Sequence, residues 1–145
     1  MKSFALSVAL SFALLFGLVA ASAQSLSDYR WQYRLVVMSA PSALHAPAKA
    51  QLTAFTEDQT AWELRHLKLV EIYDDQVKVD GQEVTLSSQE VRAQFDISTS
   101  FAVLLIGKDG LVKDRSRLVI DPWRFYDLID TMPMRRREML AQGEL

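Results

Sequence analysis

The stretch FAVLLIGKDGLVKDRSR, Phe101–Arg117, decides the fold. Phe101–Ile106 is apolar without interruption, as expected of a strand covered on both faces. GKDG then makes a tight turn with glycine at its end, and Leu111–Leu118 returns as a more exposed strand with alternating charges. The two read as an antiparallel pair that closes one side of a sheet.

Working outward, YRWQYRLVVMSAP leads into the apolar run Leu35–Met38, closed by Pro41, so Arg34–Ser39 reads as a central strand buried on both faces. Tyr29, Trp31 and Tyr33 lie two apart, which in an extended lead-in places three aromatics on one face as a lid over the core. Pro47 suits the first turn of a helix, and Ala48, Leu52, Phe55, Gln59 and Trp62 recur at helical spacing along one stripe. Lys68–Tyr73 reads as the next strand, and Asp80-Gly81 as a two-residue hairpin turn. Ser87 or Ser88 caps a short helix over SSQEVRAQF, with Glu90 placed to reach back and Val91 and Phe95 on its buried side. After the return strand, Asp121 caps a helix opening at Pro122, with Phe125, Leu128, Ile129 and Met132 as its apolar stripe. Pro133 interrupts that helix, and MRRREML resumes as a basic final turn. Strands alternating with helices and ending in a hairpin give an α/β class with a mixed sheet flanked by helices.

The N-terminus carries a different signal. Lys2 precedes an almost wholly apolar run, Phe4–Ala20, and small residues surround Ser22, so residues 1–23 read as a signal peptide cleaved after Ala23. An uncleaved anchor is the alternative, since the run is nearly long enough to span a bilayer. Cleavage leaves a single domain, residues 24–145, exported and at home in a bacterial periplasm. Loss of Lys2 moves the formal charge from -2 to about -3, which gives no electrostatic reason to expect nucleic acid. No other segment is apolar enough to cross a membrane. The chain contains no cysteine, so packing rather than disulfides must hold it together, and thiol oxidoreductase or peroxidase chemistry is excluded.

Two places remain for a site. The loop Pro41–Pro47, with the N-terminus of the following helix, offers Ser42 and His45 and free backbone donors suited to a small anionic ligand. The two side chains alone do not make a nucleophile and base, which need a third, orienting group and oxyanion donors. Arg135, Arg136 and Arg137 suit an acidic protein partner or a phosphate, and equally a solvated helix face. No metal site is expected: His45 and His66 are the only histidines, and Asp74, Asp75 and Asp80 lack the spacing of a calcium loop. No cofactor is expected either.

YRWQYRLVVMSAP, LLIGKDGLVK and LIDTMPMRRREM together resemble the domain of unknown function 4174 family, over roughly Leu26–Met139. The resemblance implies a thioredoxin-like, peroxiredoxin-like fold, export and no established activity. It also implies kinship with a domain of extracellular sushi-repeat proteins and a related matrix protein. In such a fold the reactive cysteine follows the first central strand, where this chain has Pro41–Pro47, and a cis-proline precedes the third strand, where DISTSF has none. Family members often have an arginine-aspartate pair before the second strand, where this chain reads Arg65-His66. The expectation is a non-catalytic binding or interaction module, with two alternatives: an enzyme using non-thiol chemistry at the loop, or an envelope structural protein using the arginine tail.

Overall fold

Every residue of β1, Arg34–Ala40, is buried. The computed structural model describes residues 25–98 and 100–145, so the expected signal segment and its cleavage after Ala23 lie outside the described residues. From β1 the chain passes through α1 (Ala46–Thr56) and α2 (Gln59–Leu64) to β2 (Leu67–Tyr73), which pairs parallel with β1. The hairpin β3 (Gln76–Val79) and β4 (Gln82–Val84) adds to the outer edge of β2, and α3 (Ser88–Gln94) follows. β5 (Ala102–Ile106) pairs antiparallel with the other side of β1, and β6 (Val112–Ser116) pairs antiparallel with β5. Two helices, α4 (Trp123–Asp130) and α5 (Pro133–Gln142), complete the chain. The sheet order is β4-β3-β2-β1-β5-β6, a mixed six-stranded sheet. Its four strands β2-β1-β5-β6 are compatible with the thioredoxin-like expectation.

The sheet is covered on both faces because its side chains alternate. Val36, Met38 and Ala40 join Leu69, Val103 and Leu105 in one apolar cluster, covered by Phe55, Trp62 and Phe125 from the helices. Leu35 and Val37 face the other way with Val70, Ile72, Leu104 and Ile106, covered by Val91 and Phe95 of α3. The rings of Phe55 and Phe125 stack 6.5 Å apart, which packs α4 against α1. Gln51, fully buried on α1, donates Nε2–H to the carbonyl of Ile120 and accepts the Ile120 N–H, fixing the link between β6 and α4.

Some expectations change. The expected single helix breaks at Asp58, whose carboxylate accepts the Ala61 N–H and caps α2, leaving Gln59 exposed. The aromatic lead-in is not extended: Leu26–Tyr29 is a 3-10 turn, Trp31 adopts φ 66° and is 65% exposed, and only Tyr29 and Tyr33 meet, edge to face at 6.2 Å. The basic final turn is a separate helix, α5, with Pro133 in its first turn. Asp80 and Gly81 both take positive φ, 48° and 78°, as a tight hairpin turn requires.

Gln51→Ala leaves two buried backbone groups of Ile120 without partners. We expect it to lower unfolding stability by about 2–4 kcal/mol, combining roughly 1–3 per unsatisfied group with incomplete relaxation, as measured by urea denaturation. A change below about 0.5 kcal/mol would mean the connector is held by something else.

Candidate functional site

The two predicted loop residues do not converge. Ser42 faces an open cleft shared with Tyr73, Asp74 and Glu83. His45 faces a different one, with Phe101, Arg117 and Leu118, and its ring lies 6.0 Å from that of Phe101. The first turn of α1 holds Pro47, which has no N–H, and the Lys49 N–H is already bonded to the His45 carbonyl, so fewer donors remain for an anion than a free helix start would offer. Ser42 and His45 therefore have no shared reacting centre.

The arginine tail divides. Arg135 is 0% exposed: its guanidinium donates to Asp130, to Glu144, to the Leu64 carbonyl and to Gln142. It is an internal fastener, removed from the surface that the sequence suggested. Arg136 and Arg137 stay exposed on α5.

Around Arg135 lies a polar cluster at the pole where β1 and β2 begin. Glu138 accepts two hydrogen bonds from the Arg34 guanidinium, at 2.9 and 3.3 Å, and pairs with the Lys108 ammonium at 2.7 Å. Lys108 comes from the GKDG turn of the opening stretch, and also donates to Nδ1 of His66 at 2.8 Å. Arg65, stacked 4.7 Å over Tyr126, meets Asp130 through two parallel N–H bonds. Burial would push the Glu138 carboxyl up, but the hydrogen bonds from Arg34 and Lys108 outweigh it and hold it below 4.5. Burial, reinforced by the Lys108 charge, pushes His66 below 6.5 and keeps it neutral. Every charge here is answered, so the cluster reads as a latch that docks α5, whose only buried residue is Arg135.

A concavity larger than the clefts at Ser42 and His45 lies elsewhere. α1 and α2 cover β1 and β2, whereas the hairpin beyond β2 turns polar side chains, Gln76 and Lys78, to the same side. Between helices and hairpin runs an open groove of about 850 Å³. Leu52, Phe55, Trp62, Leu67 and Leu69 form its apolar wall, and Glu71 lies in its lining although only 5% exposed. Tyr73 donates its hydroxyl to Glu71 Oε2, and burial, with that bond, pushes the phenol well above its ordinary value. At the rim, Lys68 is tied to Asp80 at 2.8 Å. The groove was not read from the sequence, though a signal was there: Glu71 is the one acidic residue inside the otherwise apolar alternation LVEIY.

A family model described as Domain of unknown function (DUF4174) matches residues 25–138. Coiled-coil domain-containing protein 80 of Danio rerio is 38% identical over 142 residues, covering 83% of this chain and 16% of that protein. Sushi repeat-containing protein SRPX of Rattus norvegicus is 28% identical over 134 residues, and that of Homo sapiens 26% over 133, each covering 88% of this chain and 29% of the relative. The chain thus spans less than a third of the length of these curated relatives. No solved structure matches it.

Glu138→Gln removes the counter-charge of a buried guanidinium, and should cost about 3–5 kcal/mol in urea denaturation at neutral pH. Because the folded-state value of Glu138 is depressed, its contribution is present above 4.5 and is lost as pH falls through the folded value. His66, also depressed, lets the unfolded chain bind more protons just below 6.5, so stability already declines there. The variant should retain the decline beginning below 6.5 and lose the Glu138 share of the lower one, the share of Asp109 remaining; an unchanged acid limb would remove Glu138 from the latch.

Proposed function

The chain belongs to the DUF4174 family, and from that premise we propose that it is an exported, non-catalytic binding module whose ligand lies in the groove beside β2. The observation that carries this reading is the groove itself, open, of about 850 Å³ and walled by apolar side chains, within the roughly 300–1,000 Å³ range of ligand sites. Set against it is a loop after β1 in which Ser42 and His45 face separate clefts, and a sequence without thiols. Export is supported by the apolar run before Ala23 and by the family's presence in sushi repeat-containing relatives. Those relatives carry the matched region as a minor part of a longer chain, in keeping with a recognition unit. A bacterial periplasm is the compartment that suits a cysteine-free exported chain.

A fragment library screened by amide chemical-shift perturbation tests the reading. Shifts should cluster on Leu52, Phe55, Trp62 and Leu69, and Ser42→Ala with His45→Ala should leave affinities within about twofold. Perturbations centred on residues 41–47, lost in that double variant, would move the site to the loop and reopen the enzymatic reading. Export is checked by the intact mass of the protein recovered outside the cytoplasm, which should lack residues 1–23.

A further inference from the structure

Among the described residues Glu71 enters none of the ion pairs, although Arg34, Arg65, Lys108 and Arg135, the other buried charges of this face, each have a carboxylate. Its register partner on β3 is Lys78, yet that ammonium lies 6.0 Å from the centre of the Tyr73 ring instead of pairing with the acid. Tyr73 satisfies Oε2, and Oε1 accepts no hydrogen bond from the described residues. A carboxylate that is 5% exposed, opens only onto the groove and lacks a counter-charge offers its remaining oxygen to whatever enters there.

The surroundings fit one ligand chemistry. The groove's basic rim residues are occupied: Lys68 is neutralised by Asp80, and the His66 Nδ1 accepts from Lys108. Glu63 adds a further acid at the rim. The wall beside the acid is aliphatic and aromatic, with Trp62 and Phe55 tilted 5.3 Å apart.

We propose that the groove takes an organic cation, an ammonium or guanidinium head that pairs with Glu71, carried on an apolar body that lies against Leu52, Phe55 and Trp62. This rests on the reading of the groove as the binding site and adds the class of its ligand. The free Oε1 accepts the head group's N–H, Tyr73 holds the carboxylate in place, and the aromatic pair covers the body.

The test titrates the full exported protein with 2-phenylethylammonium, 2-phenylethanol and 3-phenylpropionate near neutral pH, following amide shifts. Wild type should bind the ammonium best and the carboxylate least, and Glu71→Gln should weaken the ammonium about tenfold to a hundredfold without changing the alcohol. The ranking of the three probes on wild type decides the matter even if Glu71→Gln fails to fold. Equal binding of ammonium and alcohol, with Glu71→Gln silent, would overturn the cation while leaving the groove in use. Thr56→Trp, at the groove's rim, separates the two failures. If it abolishes all binding, the groove stands, and if binding survives it, or no probe binds, the groove and the cation fall together. Comparing a blocked Phe-Lys dipeptide with its Phe-norleucine counterpart then tells a peptide's basic side chain from a free amine.

Discussion

Arg34 opens the most deeply covered strand of the sheet, and a guanidinium 1% exposed is tolerable there because Glu138 meets it with two hydrogen bonds. That one pairing carries several consequences. It brings α5 back across the pole where β1 and β2 begin, and draws Lys108 inward from the turn between β5 and β6. It also leaves α5 fastened through polar contacts rather than an apolar stripe, with Arg135 reaching to Asp130, Glu144 and the end of α2. In a chain without cysteine, this latch does for the C-terminal helix what a crosslink does in many small exported proteins.

On the face of the sheet that α1 and α2 cover, the contrast between answered and unanswered charge sorts structure from site. The Arg34, Arg65, Arg135 and Lys108 cations all have carboxylates within ion-pair distance, so their pole is a fastening, however active it looks as a cluster of titratable groups. Glu71 sits two strand positions from Leu69 on the same face, and among the described residues meets only a tyrosine hydroxyl. The sheet creates this difference. Helices α1 and α2 cover β2, the added hairpin carries the sheet past them, and the acid lies along the line where cover ends.

Much of the fold was legible because it rests on local pattern. The uninterrupted runs Leu35–Met38 and Phe101–Ile106 mark the two strands that pair at the centre, and Asp80-Gly81 marks the hairpin by its need for positive φ. The break between α1 and α2 was harder, since Gln59 continues the spacing while Asp58 ends the helix through a side-chain cap. Trp31 misled because alternation implies a shared face only in an extended chain, and a 3-10 turn precedes it. The sites were less legible still. Arg135 reads as a surface cation until its partners, distant in sequence, enclose it. Glu71 reads as one polar residue in a strand until the groove and the missing cation are seen together.

The claim that the latch is cooperative, and that the Arg34 charge is tolerated through its pairing with Glu138, is tested most directly by a double-mutant cycle with Arg34→Met and Glu138→Leu. A coupling of about 1–3 kcal/mol is expected, the double variant being less destabilised than the two single ones summed. Additivity to within about 0.5 kcal/mol would contradict it.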